Sequence, residues 1–118
     1  MEDRTNQPIL KVAFYRTDKG NEPVREWLKS MRRDDRRKIG EHIKTAQFGW
    51  PLGMPLIKKL EARLWEIRCN ISHGIARVLF TVEGDTMVLV HGFVKKTQRT
   101  PIYDLDTARR RMADLYEE

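Results

Sequence analysis

Residues 64–100, LWEIRCNISHGIARVLFTVEGDTMVLVHGFVKKTQRT, decide the fold because apolar and polar side chains alternate along them and two turn signals interrupt them. The turns are expected at residues 73–74 and 84–85, which predicts three antiparallel strands joined by tight hairpins. The last strand leads into three cations, Lys95, Lys96 and Arg99. A sheet with such a basic end indicates an anionic substrate.

The turn positions fix the register of the strands, and the register decides which face of the sheet each side chain occupies. A two-residue turn at 84–85 places Arg77 opposite Gly92, and one at 73–74 places Asn70 opposite Arg77. One face of this sheet is apolar except for a histidine, and it comprises Trp65, Ile67, Cys69, Ile71, Ala76, Val78, Phe80, Val82, Met87, Leu89, His91 and Phe93. We expect the helices to pack on that face.

The opposite face of the predicted sheet gathers Arg68, Arg77 and Lys96 near one end, with Glu66 as its one acid. Like charges placed close together on a sheet cost stability unless an anion offsets them. We therefore interpret this face as a phosphate site in preference to a solvated surface. The space above Gly92 would let the Arg77 guanidinium lean toward the ligand.

Helical spacing explains most of the chain outside this sheet. Apolar residues at i, i+3, i+4 and i+7 predict a helix over residues 23–31 and a second over 34–49. A short first strand is predicted over 11–16. A last helix begins at Asp104 or Asp106, either of which can cap it.

The predicted fold is a single α+β domain over residues 1–118, in which 1–10 form a flexible N-terminal extension. Its order is β-α-α-β-β-β-α, with a mainly antiparallel sheet and helices on one face. A loop over 49–55 delivers Lys58 and Lys59 to the sheet.

Net charge fits two readings equally, a polyanionic partner or a soluble protein that happens to be basic. The chain has 23 Lys and Arg against 17 Asp and Glu, giving a formal charge of +6, a balance typical of proteins that bind nucleic acid. Part of the excess lies in one basic run, Arg32, Arg33, Arg36, Arg37 and Lys38. This basic run fits either a polyanion-binding surface or the solvated face of a helix, and we favour the solvated face.

Other features narrow the class of protein. Cys69 is the one cysteine, which excludes an internal disulfide and favours a reducing, cytoplasmic location. No apolar run is long enough to span a membrane, and the spacing of His, Cys and acids gives no metal site. His91 fits a buried core imidazole better than a general base. Trp50 is the aromatic residue best placed to meet RNA or a partner protein.

Three segments, LWEIR at 64–68, ARVLF at 76–80 and HGFVKKTQRTP at 91–101, together with the element order, resemble the RelE/HigB toxin superfamily. Within it, the chain is most similar to the phage-derived Gp49-like, HigB-type branch. The resemblance extends over residues 12–115.

This resemblance implies the toxin of a type II toxin-antitoxin pair, a metal-free endoribonuclease (mRNA interferase) that cleaves mRNA in the ribosomal A site. It also implies a cognate antitoxin, HigA-like and bearing a helix-turn-helix domain, through which the toxin meets operator DNA only indirectly. Beyond mRNA, the ribosome and this antitoxin, it implies no cofactor and no membrane partner.

The resemblance further implies catalytic roles. Arg77 matches the arginine thought to contact the scissile phosphate, Lys95 or Lys96 matches the basic residue after the last strand, and Arg68 is commonly arginine in this branch. The chemistry agrees, because a guanidinium can grip two phosphate oxygens and a lysine within a cationic cluster has its charged form disfavoured. We expect these four residues to form the catalytic set.

RNA-binding roles are expected of Lys58 and Lys59, which match a basic pair before the sheet, and of Arg99 and Tyr103. Tyr103 departs from the RelE pattern because it follows Pro101 near a helix start, so we do not expect it to act as a base. The alternative function is a non-catalytic basic module that binds RNA or the ribosome. A sequence-specific DNA binder is disfavoured, since no helix pair has a helix-turn-helix pattern.

Overall fold

The computed structural model describes residues 8–51, 56–95 and 99–116. The elements are β1 (Lys11–Phe14), α1 (Pro23–Lys29), α2 (Arg33–Gly49), β2 (Ile57–Glu61), β3 (Leu64–Ile71), β4 (Gly74–Glu83), β5 (Thr86–Lys95) and α3 (Ile102–Tyr116). Five strands form one mixed sheet in the order β1-β5-β4-β3-β2. β1 runs parallel to β5, and the other neighbouring pairs are antiparallel. The predicted α+β class is confirmed.

The first two helices begin where local chemistry favours a start. Pro23 opens α1, where its fixed φ suits the first turn and its missing N–H is not needed. Asp34 and Asp35 lie in the first turn of α2, where carboxylates offset the positive end of the helix dipole. Asp35 also accepts hydrogen bonds from the backbone N–H and the hydroxyl of Ser72, which ties α2 to the β3–β4 turn.

Both faces of the sheet are covered, which corrects the expectation of helices on one face. In β4, Val78 and Phe80 pack in a cluster with Ile39 of α2, whereas Leu79 packs in a second cluster with Ala108 of α3. Alternate residues of a strand point to opposite faces. The second face therefore carries its own apolar patch under α3, formed by Leu64, Leu79, Val88, Val90 and Phe93.

Because of a β-bulge, the register of the β4–β5 pair differs from the predicted one. The pairing skips Val90, so every later residue of β5 is shifted to the other face. His91 and Phe93 consequently lie on the α3 side, not on the face that α1 and α2 cover. Arg77 lies opposite Phe93 and not opposite Gly92.

The β3–β4 turn lies one residue earlier than predicted, over 72–73 instead of 73–74. Arg68, and not Asn70, is consequently the residue opposite Arg77. The face assigned to β3 is unaffected, because Arg68 and Asn70 are two residues apart and share a side of the strand.

Two further boundaries differ from prediction. The loop expected to deliver Lys58 and Lys59 leads instead into an additional strand, β2, which pairs with β3 and contains both lysines. Residues 52–55 of that loop lie outside the described residues. α3 begins at Ile102, so Asp104 and Asp106 lie within the helix and neither caps it.

Leu10 and Trp50 complete the core on the side of α2. Leu10 is buried, and its backbone N–H donates to the carbonyl of Gln47 in α2, whereas residues 1–7 of the predicted extension lie outside the described residues. Trp50 packs edge-on against Trp65, with ring centroids 4.9 Å apart, which makes it a packing residue and not an exposed RNA contact. No helix in the described part of the chain is long and apolar enough to cross a membrane.

Candidate functional site

A cleft of about 380 Å³ opens beside β2 and β3, next to the segment that leads into α3. It is lined by Lys58, Lys59, Leu60, Arg68, Arg99, Thr100 and Leu105. Four of these residues are cations from three separate parts of the sequence, and all four belong to the set selected from sequence. The fold therefore concentrates positive charge at one opening.

The pairing of β2 with β3 positions the lysines. Lys58 lies directly opposite Glu66, and Lys59 lies opposite Trp65. The Lys59 ammonium lies 5.9 Å from the centre of the Trp65 ring, and both lysines are exposed. Exposed lysines on an edge strand can reach an anion in the cleft and also discourage pairing with another chain.

Glu66 is the acid beneath these cations, and it is fully buried. One of its carboxylate oxygens, Oε1, accepts a hydrogen bond from Nε of Arg68 at 2.6 Å. The other, Oε2, accepts from the hydroxyl of Thr100 at 2.6 Å. A buried carboxylate is costly unless it is paired and hydrogen-bonded, and here two different elements meet that requirement.

Arg77 is also fully buried, although we expected its guanidinium to lean toward a ligand. Its Cζ lies 5.8 Å from the centre of the Phe93 ring, a cation–π arrangement. Burial lowers the pKa of Arg77, Glu66 opposes that shift, and the neighbouring charge of Arg68 adds to it. Arg77 stays charged, because an arginine does not lose its proton in proteins.

A histidine network lies on the same side of the sheet. Nε2 of His91 is 2.7 Å from Oδ1 of Asp104 in α3. A carboxylate can only accept, so Nε2 carries the proton and Nδ1 can accept from Arg111 at 3.4 Å. The imidazole stacks on Phe93 at 5.5 Å. Burial lowers the pKa of His91, while the bond to Asp104 raises it in part.

Two further predicted site residues, Lys95 and Tyr103, are not among those that line the cleft. Lys95 is exposed at the end of β5, opposite Ile75. Tyr103 is 77% exposed in the first turn of α3. Lys96 falls outside the described residues.

Within the described ranges, no group of three or more His, Cys, Asp or Glu side chains could hold a metal ion. The chemistry available at the cleft is that of fixed positive charge and hydrogen-bond donors. Lysine and arginine side chains arranged in this way bind phosphate groups, arginine in a bidentate manner and lysine as a point charge.

Sequence reasoning does not predict the bonds of Glu66 and misses Thr100. It places Glu66 as the one acid of its face, but the bond to Thr100 depends on the path of the chain before α3. Thr100 gave no signal at all, because a single threonine before a proline is typical of any strand end. The alternation of Glu66 with Arg68 on one face was the one available clue.

The model of the phage-derived Gp49-like proteins (DUF891) matches residues 26–113. No curated protein matches the chain. The matched region runs from α1 to the last turns of α3 and includes every residue that lines the cleft. The chain therefore belongs to the Gp49-like family of phage-derived proteins.

Proposed function

We propose that this protein is the toxin of a type II toxin-antitoxin system, and that it cleaves mRNA in the ribosomal A site and so arrests translation and growth. The observation that carries the proposal is the cleft, where four cations line one opening and a buried carboxylate holds the arginine of β3. Membership of a phage-derived family and the resemblance to RelE/HigB toxins support it.

Cleavage of RNA by its own 2′-hydroxyl needs three things: removal of the hydroxyl proton, stabilisation of charge on the phosphorane, and protonation of the leaving 5′-oxygen. Arg68 suits the second task, because it lines the cleft and its guanidinium can grip two oxygens. We assign to Lys58, Lys59 and Arg99 the binding of flanking phosphates. This use of fixed charge needs a substrate that the ribosome already holds in place.

The other predicted residues keep supporting roles in this proposal. Arg77 acts through its charge beside Arg68, since its side chain is buried. Lys95 or Lys96 exchanges protons with the reacting oxygens. Tyr103 offers an exposed ring on which a base can stack.

The proposed partners are mRNA, the ribosome and a silencing antitoxin. We propose that the antitoxin is HigA-like, carries a helix-turn-helix domain and is encoded by the adjacent reading frame. Operator DNA then meets the toxin only through the antitoxin, and the site of action is the cytoplasm.

The test is cleavage of a defined mRNA on purified translating ribosomes, with the new RNA ends mapped by primer extension. Arg68→Ala should slow cleavage roughly 10- to 100-fold, the effect of removing one charge-assisted hydrogen bond. Arg36→Ala on α2 is the matched control, since it removes an exposed arginine away from the cleft, and it should cut at the wild-type rate. Cleavage that ignores the ribosome, or equal rates for both variants, would contradict the proposal.

A second candidate function is a basic module that binds RNA or the ribosome without cutting. The observation that favours it is the complete burial of Arg77, the residue expected at the scissile phosphate. A protein of this kind would bind RNA through the cleft and produce no new ends in the same assay.

A further inference from the structure

Glu66 connects two parts of the chain that both line the cleft. Arg68, on the same strand, donates to one carboxylate oxygen, and Thr100, just before α3, donates to the other. Arg99 is the neighbour of Thr100 and lies in the cleft lining with it. The two bonds therefore fix a cation on β3 and the segment that carries a cation toward α3.

The same carboxylate makes the arrangement of arginines possible. Arg68 and Arg77 lie directly opposite each other on β3 and β4, and like charges in that position destabilise a sheet. Glu66 lies on the same face as both, two residues before Arg68 on β3 and opposite Leu79, which is two residues after Arg77 on β4. Its bond to Arg68 therefore places a negative charge beside the two guanidinium groups.

We propose that Glu66 is a positioning residue, whose buried carboxylate holds Arg68 and the segment carrying Arg99 at fixed places in the cleft so that they can bind an RNA backbone. The inference rests on the proposed function for its substrate class. It does not need the cleavage step, because binding alone requires the cations to be in place.

The direction in which RNA affinity changes distinguishes a positioning role of Glu66 from an effect of net charge alone. Removing a negative charge beneath a cationic cleft should strengthen attraction for a polyanion if only net charge matters. Removing the group that positions the cations should weaken binding, because the arginine then spends binding energy on becoming ordered.

The experiment measures binding of a short fluorescein-labelled oligouridylate by anisotropy over a series of KCl concentrations. Glu66→Gln should bind roughly tenfold more weakly than the wild type. The slope of log Kd against log salt should become shallower by about 0.7 for each phosphate that the variant no longer neutralises. Glu61→Gln is the control. It removes the same charge from β2, where the carboxylate of Glu61 pairs with Arg109 on α3. This variant should bind as tightly as the wild type or more tightly.

Thr100→Val provides a second variant if Glu66→Gln does not fold. It removes one of the two bonds to the carboxylate without altering charge, and it should weaken binding about threefold, toward the low end for a neutral hydrogen bond. Thermal unfolding of each variant identifies misfolded protein. The proposal is overturned if a folded Glu66→Gln, or Thr100→Val where the first does not fold, binds as the wild type does with an unchanged salt slope.

Ribosomes are absent from this assay, which keeps the two proposals distinguishable. A wild-type protein that binds the oligouridylate but never cuts mRNA on ribosomes contradicts the nuclease proposal and leaves the comparison of Glu66→Gln with Glu61→Gln intact. A wild-type protein that binds no oligouridylate overturns the positioning role, since the cations then have no RNA to be positioned for.

Discussion

The cleft and the basic run hold similar amounts of positive charge, but they differ in one cation, Arg68, which a buried acid holds. All five cations of the basic run are exposed, and within the described part of the chain none of them forms an ion pair. Three cations of the cleft, Lys58, Lys59 and Arg99, are exposed as well. Arg68, however, is bonded to the buried Glu66, and Arg77, which does not line the cleft, lies buried opposite Arg68. The bond between an arginine and a buried carboxylate, and not the density of charge in the sequence, distinguishes the candidate site from the basic run.

This difference agrees with the interpretation of the basic run as the solvated face of a helix. Exposed cations on a helix face keep their hydration, and ion pairs at such positions contribute little to stability. Cations held over a buried carboxylate have already given up part of their hydration and conformational freedom, so binding an anion costs them less. Substitutions in each of the two regions test this comparison.

The largest effect is expected from Arg77→Ala. The substitution truncates a fully buried side chain and opens a space beside Phe93, and truncating a large buried side chain to alanine costs roughly 3–5 kcal/mol. Urea unfolding measures the change in free energy. Arg36→Ala should stay within about 0.5 kcal/mol of the wild type. A loss below about 1 kcal/mol for Arg77→Ala would remove the energetic contrast between the two regions.

The next effect is a dependence of stability on pH through His91. Its pKa in the folded protein lies below the ordinary 6.5, so on acidification the unfolded chain takes up this proton first. The free energy of unfolding should therefore fall as the pH drops below about 6.5, by at most about 1.4 kcal/mol per pH unit.

The measurement for His91 is urea unfolding over a pH series. His91→Asn should flatten the curve in this range, and His42→Gln, which replaces a histidine on α2 beside the basic run, is the matched control. Equal flattening by the two variants would show that the buried network with Asp104 and Arg111 is not the source.

The smallest effect is expected from the basic run itself. Arg36→Ala combined with Arg37→Ala removes two exposed charges without breaking an ion pair among the described residues, so the free energy of unfolding should change by less than about 0.5 kcal/mol. The salt slope for the labelled oligouridylate should match that of the wild type. A slope reduced as far as in Glu66→Gln would mean that the basic run also binds the RNA, and the contrast with the cleft would fail.

Sequence periodicity predicted the α+β class, the first two helices and most of the apolar face, because these follow from local spacing and turn chemistry. It did not predict α3 on the second face, where Leu79, Val88 and Val90 share the sheet surface with charged residues. Their shared burial under Ala108 depends on how distant segments meet. Local patterns carry no information of that kind.

Four of the residues selected from sequence, Lys58, Lys59, Arg68 and Arg99, line one cleft, and their roles stay predictions. β2 and β3 are neighbours in the sheet, and Arg99 reaches the cleft through the path of the chain between β5 and α3. The burial of Arg77 was not predicted. It depends on the ring of Phe93, which reaches Arg77 only because the register of β5 is irregular.

That irregularity acts on the protein as a frameshift acts on a gene. Side chains of a strand alternate between the two faces of the sheet, so the one additional residue, Val90, moves every later residue to the opposite face. In the shifted frame Gly92 lies against Trp27, where an added methyl group would collide with the ring, and Phe93 lies beside Arg77. Deleting Val90 would remove the bulge and leave Arg77 opposite Phe93, whereas pairing Val90 with Leu79 would move Phe93 to the side of Trp27. The unpaired state of Val90, as much as the composition of β5, therefore decides what surrounds Arg77.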